Sequence, residues 1–136
     1  MNDSGKNIFL ICPVRFASEE EKTSLENYVS SLESQGHKVH YPPRDTNQFD
    51  ETGGYNICRD NLQVIKSSDE VHIYWNGQSY GSHFDFGASF NEHLSRNMPI
   101  RLANRKGVED MVVDLKGTGK EKAFEFVLLK LDDLYN

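Results

Sequence analysis

Little cysteine, no long apolar run and no excess of basic residues set the first limits on this chain of 136 residues. The two cysteines, Cys12 and Cys58, have neither CxxC nor zinc-ligand spacing, so no redox or zinc motif is written in them. Cys12 ends an apolar run and Cys58 sits in a helical pattern. Both read as reduced, packed thiols, the usual habit of free cysteine. No apolar run approaches the roughly 20 residues that span a bilayer. The opening MNDSGKNIFLICPVR has no basic segment followed by a long apolar one, so no signal peptide is expected and a cytoplasmic location is. The 15 Lys and Arg against 21 Asp and Glu leave a net charge of −6. Non-specific binding to nucleic acid or to a membrane needs basic patches, so neither partner is expected. A small anionic ligand stays open, because a few arginines around one pocket override the global sign.

Several ligand signatures are missing too. No GxGxxG follows the first apolar run, which removes a dinucleotide fingerprint, and no GxxxxGK[ST] marks a P-loop. A phosphoacceptor receiver needs acids after the first strand and an aspartate ending the third, where Pro13, Arg15 and Asn76 stand. The five histidines (His37, His40, His72, His83 and His93) form no HExxH, and His40 and His72 read as packed or surface residues of strands. We expect no metal and no cofactor.

What is present is an alternation of apolar, β-branched runs with helical patterns. NIFLICPV (7–14) reads as a buried strand. The segment 18–36 reads as a helix, with Ser18 as N-cap, acids in its first turn and Gly36 as its stop. Residues 37–42 read as a second strand and 55–68 as a second helix. EVHIYW (70–75) is a third strand, 82–96 a third helix, PIRLA (99–103) a fourth strand, MVVDL (111–115) a short fifth, and 119–135 a final helix. With 37% hydrophobic residues and no repeat, linker or low-complexity tract, the chain is expected to fold as one domain over 1–136. Strand–helix alternation with short connections predicts a three-layer α/β fold. Its open parallel sheet, flavodoxin/Rossmann-like, has four or five strands and helices on both faces. The polar stretch RDTNQFDETGGY (44–55) is expected as a long loop over the top of the sheet.

Ligands of such sheets bind beyond the carboxyl ends of the strands. Those ends deliver Pro13 and Arg15; Arg44 and Asp45; Asn76 to Tyr80, then Ser82 and Asp85; and Asn104 and Arg105. Three arginines and two acids at one rim suit an anionic ligand. Ser82 and Asp85 admit two readings. They fit a capping box, with Ser82 at N-cap and Asp85 at N3. Equally, a carboxylate in a first helical turn feels the positive end of the helix dipole, worth ~0.3–1 kcal/mol, and is kept ionised as a nucleophile must be. Gly81 and Gly87 strip side chains from its surroundings.

These residues carry a family resemblance. IFLICPVR opening the fold, ICRDNLQVIKSSDEV leading into strand three, and GSHFDFG set against a Gly-[Ser/Thr]-x-x-Glu-x-Gly pattern resemble the nucleoside 2-deoxyribosyltransferases and the related 2'-deoxynucleoside 5'-phosphate N-hydrolases over roughly residues 7–105. The resemblance implies that Asp85 stands for the nucleophilic glutamate that attacks the anomeric carbon, and that Asp60 helps hold sugar and nucleophile. It implies further that Ser79 and Arg15 contact a 5'-phosphate, with Gly81 and Ser82 beside them. Phe9 replaces a tyrosine and Pro13 a ligand-contacting serine. A small-molecule nucleotide is the implied partner, and a homodimer or larger homo-oligomer the implied assembly. The expected activity is an N-glycoside hydrolase or transferase acting on a nucleoside 5'-monophosphate. The alternatives are a non-catalytic nucleotide-binding, sensing or sequestering domain, and an NAD glycohydrolase of the Toll/interleukin-receptor-like kind.

Overall fold

A computed structural model of the protein describes residues 5–15 and 17–135. Four parallel strands, β1 (Asn7–Ile11), β2 (Lys38–His40), β3 (Glu70–Ile73) and β4 (Ile100–Leu102), form one sheet in the order β2-β1-β3-β4. Ile8 and Phe9 register with Val39 and His40 on one side and with Glu70 and Val71 on the other. The helices are α1 (Glu19–Ser34), α2 (Pro42–Asp45), α3 (Tyr55–Ser67), α4 (Tyr80–Arg96), α5 (Arg105–Met111) and α6 (Phe124–Leu134). From β1 the chain steps one way to β2 and back the other way to β3. Right-handed crossovers in opposite directions put their helices on opposite faces. Hence α1 covers one face and α3 and α4 the other.

Pleat alternation sorts the core accordingly. Leu10, Cys12 and Val39 pack with Leu25 and Val29 of α1. Phe9, Ile11, Val71, Ile73 and Trp75 pack with Ile65 of α3, Phe86 of α4 and Leu128 of α6. Ser18 caps α1 in a reciprocal capping box with Glu21. On the α1 face Glu70 is buried yet bonded on every side: His72 Nε2 lies at 2.9 Å, Lys6 Nζ at 2.6 Å and Arg101 Nε at 3.2 Å. The His72 hydrogen bond, with Lys6 and Arg101 behind it, holds the Glu70 carboxyl down to about 2. His72 Nδ1 meets the Tyr28 hydroxyl at 2.6 Å, so this histidine is packed and bonded.

Three expected elements differ. MVVDL is not a fifth strand; it holds the end of α5 and a 3-10 turn over Val113–Leu115. The open edge of β4 is already occupied there, since Asp132 Oδ1 of α6 accepts the Leu102 amide at 2.9 Å. The last helix starts at Phe124 rather than at 119, because Gly117 and Gly119 both adopt φ of 77°, outside the helical region. The second strand stops at His40, and Pro42 and Pro43 open α2 instead of closing the strand. Proline is tolerated in a first helical turn, where the missing N–H would have no partner.

Candidate active site

The start of α4 decides how Asp85 is read. Ser79, not Ser82, is the N-cap, and its Oγ accepts the Ser82 amide at 3.2 Å. The helix therefore begins at Tyr80, and Asp85 falls in its second turn, out of capping range. Ser82, Asp85, Phe86 and Ser89 recur at helical spacing and form the buried face of α4. Asp85 is 8% exposed, and its carboxylate takes part in no hydrogen bond or ion pair among the described residues. Burial alone pushes it up from 3.8 to about 7. The expectation of an acid kept ionised by the helix dipole is corrected here: burial shifts this carboxyl towards its protonated form.

Asp85 lines a cavity of about 390 Å³ at the carboxyl ends of β1, β2 and β3, where the strand order reverses. That volume is of the size that takes small-molecule ligands. Strand β1 runs out into Cys12, Val14 and Arg15; Pro42 closes one side; Ile57 and Asn61 come from α3. Gln78, Ser79, Tyr80 and Gly81 form the side at the start of α4, and Gln48 reaches in from the loop 46–54. This loop is tied down by its own polar groups. Gln48 Nε2 donates to the carbonyls of Pro42 and Thr46, and Asp50 Oδ2 accepts the Ile57 amide at the start of α3. The Cys12 thiol is buried and near Asp85, which together raise it to about 12, so it stays protonated.

Of the residues singled out in the sequence, Arg15, Ser79, Gly81 and Asp85 meet in this cavity. Arg15 makes no ion pair among the described residues. The Ser79 hydroxyl proton is not committed to its capping role, and the Tyr80 and Gly81 amides lie in the first turn, where N–H groups lack helical partners. A Cβ added at Gly81 would meet nothing within 4 Å, so the space beside it is open. A cation, a hydroxyl and the free amides of a helix start are the groups that hold a phosphate.

The other candidates stand elsewhere. Asp60 is exposed and ion-paired to Arg59 at 3.0 Å; the neighbouring Asn61, 7% exposed, is what α3 turns inward. Phe9 is fully buried in the core and stacks on His40. Pro13 lines a separate shallow groove against α1. Arg44 is held by Glu33, Asp45 and the Val39 carbonyl. Asn76 Nδ2 donates to Glu21 and its Oδ1 accepts the Gln78 amide, so it shapes the β3–α4 loop. Ser82 Oγ is buried without a partner, one turn ahead of Asp85. Asn104 brackets Trp75 with both carboxamide atoms, and Arg105 is taken by Asp132, Asp133 and Glu109. Among the described residues no three His, Cys, Asp or Glu side chains converge as a metal site, and no helix is long and apolar enough to cross a membrane. Asn61, Gln48 and Pro42 were missed in the sequence, and only Asn61 left a readable signal there. That signal is the spacing of Asn61 by four from Ile57 and from Ile65, which puts it on the buried stripe of α3 and leaves Asp60 about 100° away.

No protein-family model matches the chain, and no curated protein matches it. Solved structures do. A 2-deoxyribosyltransferase from the psychrotolerant bacterium Bacillus psychrosaccharolyticus aligns with a TM-score of 0.57 and 24% identity over 71% of this chain and 70% of its own. The CMP N-glycosidase BcmB of Clostridium botulinum aligns with a TM-score of 0.48 and 22% identity over 71% of this chain and 68% of its own. The first of these alignments shows the fold: the chain has the fold of a nucleoside 2-deoxyribosyltransferase.

Proposed function

We propose that the protein cleaves the base–sugar bond of a nucleoside 5'-monophosphate, with Asp85 as the nucleophile. One observation carries this reading: a desolvated carboxyl without partners lines a ligand-sized cavity that also holds Arg15, Ser79 and the free amides of α4. A structural acid would be paired. An unpaired one whose pKa is raised in a cleft is a signature of function. The ionised carboxylate attacks C1', the C1'–N bond breaks and its electron pair leaves with the base. Water then attacks C1' of the glycosyl ester and returns the carboxylate, with overall retention of configuration, while the proton that water loses and the one the departed base gains are exchanged through solvent. Arg15, Ser79 and the Tyr80 and Gly81 amides hold the 5'-phosphate, which fixes the sugar against Asp85. The relative of known structure acts on 2-deoxyribosyl groups, and the shared fold supports the same class of bond here.

Asn61 favours a second reading. Where α3 faces the cavity it offers an amide, so Asp85 is the only carboxyl among the described lining residues. A site without a second acid also suits a domain that binds a nucleotide without turning it over. Incubation with nucleosides, nucleoside monophosphates and NAD, followed by chromatography for free base, separates the readings. Release from monophosphates that is abolished in Asp85→Ala supports cleavage. Thermal stabilisation by a monophosphate with no base released supports binding alone, and release from NAD alone would refute the monophosphate assignment.

A further inference from the structure

The lining of the cavity selects a class of leaving group. A neutral base departs as a high-energy anion unless a proton reaches it, and a positioned general acid typically contributes 10²–10⁴-fold. Among the described residues of this cavity, the carboxyl that would attack C1' is the only one, and it cannot bond to carbon and protonate the base in the same step. The Cys12 thiol holds its proton too tightly to serve, and the Tyr80 phenol is 91% exposed at the mouth. The inward position on α3 is Asn61, and its carboxamide is oriented. Thr46 Oγ1 donates to Asn61 Oδ1 at 3.1 Å and lies 2.9 Å from His40 Nε2. With its oxygen engaged, Asn61 presents N–H to the ligand: a hydrogen-bond donor, not an acid. Arg15 is the only cation among these lining residues, enough for one phosphate.

A base joined through a quaternised ring nitrogen needs no acid. When the C1'–N bond breaks, its electron pair cancels the positive charge on the ring, and the base leaves neutral. Before cleavage, that charge favours the ionised form of the carboxylate it faces. We propose that the substrate is the 5'-monophosphate of a sugar carrying such a cationic base, a pyridinium or an N-alkylated purine. The proposal rests on the reading of the protein as a nucleotide-cleaving enzyme. Asp85 Oδ bonds to C1', the neutral ring leaves, water displaces the carboxylate and its proton passes to solvent.

The test compares matched pairs: 7-methylguanosine 5'-monophosphate with GMP, in ribose and 2'-deoxyribose forms, and nicotinamide mononucleotide with CMP. Base release is followed by chromatography and corrected with the Asp85→Asn protein. We expect kcat/KM at least about 100-fold higher for the cationic member of a pair, following the contribution of a missing acid. In Asn61→Asp, which places a carboxyl where α3 faces the base, turnover of the neutral member should rise and the ratio should narrow. Comparable kcat/KM for cationic and neutral members, or a ratio unmoved by Asn61→Asp, overturns the leaving-group assignment while leaving nucleotide cleavage intact. Release from none of these compounds overturns both.

Discussion

Replacing Asp85 by Asn should make the protein more stable, and only above a certain pH. The side chain keeps its shape, so the change isolates the charge. Asp85 ionises near 3.8 when exposed and at about 7 in the fold, the rise coming from burial. The folded state therefore holds the proton more tightly than the unfolded chain. Stability is complete below pH ~4, falls as pH rises through the interval to ~7, and stays at its lower level above it. That interval, at ~1.4 kcal/mol per pH unit, corresponds to a cost on the order of 4 kcal/mol. Asn carries no such cost, so Asp85→Asn should exceed the wild type by up to that amount at pH 8 and differ from it little at pH 4. Urea unfolding of both proteins at the two pH values reads the difference directly. An equal gap at pH 4 and pH 8, or a variant less stable at pH 8, would refute the claim that this carboxyl is buried without a partner. A gain in stability on loss of a functional group is the usual trade at a site kept for chemistry.

Further outcomes follow from the same geometry. The acid limb of the kcat/KM profile should lie near pH 7, since that limb reports the free enzyme and Asp85 must ionise to attack; a limb near pH 4 would contradict its environment. Arg15→Ala should raise KM for monophosphates more than for nucleosides, and equal loss for both would remove Arg15 from the phosphate site. Gly81→Ala should raise helix stability by up to about 1 kcal/mol, since the added methyl meets no protein atom, while weakening nucleotide binding, since Gly81 lines the cavity. Glu70→Gln should destabilise by about 3 kcal/mol at neutral pH by unpairing a buried cluster, an effect that fades as pH drops from ~4.5 to about 2. Iodoacetamide at pH 8 should label Cys58 and spare Cys12, whose thiol is buried and protonated, until the protein is denatured.

The sheet and its helices were legible because local signals and long-range packing agreed. The β-branched run around Ile8–Ile11 is buried on both faces, and Ser18 with Glu21 forms the capping box its spacing implied. The ends of elements were less legible. Ser79 and Ser82 are both plausible caps three residues apart, and the choice fell to Ser79 because Tyr80–Gly81–Ser82 continue the helix under its Oγ. That one turn moved Asp85 from a capping position to a buried one. On α3, matching by family position put the acid at Asp60, whereas the periodicity of the helix itself points to Asn61. A slip of one residue turns a side chain by about 100° and separates solvent from the cavity. Arg44, Arg105 and Asn76 looked like site residues because they follow strands. Their partners, Glu33, Asp132 and Glu21, lie far away in sequence, and only the folded chain shows them engaged. Gln48 and Pro42 could not be assigned to the cavity from the chain alone, since the turn of α2 that brings them there overrides an apparent strand end.

The most direct measurement is the intact mass of the protein after brief reaction with a 2-deoxy-2-fluoro analogue of a cleavable nucleoside 5'-monophosphate, a sugar that slows release of the glycosyl ester. We expect one equivalent of sugar phosphate bound covalently, mapped by peptide mass spectrometry to Asp85 and absent from Asp85→Asn. An adduct on another residue, or an undiminished adduct in Asp85→Asn, would contradict the assignment of this carboxyl as the group that attacks C1'.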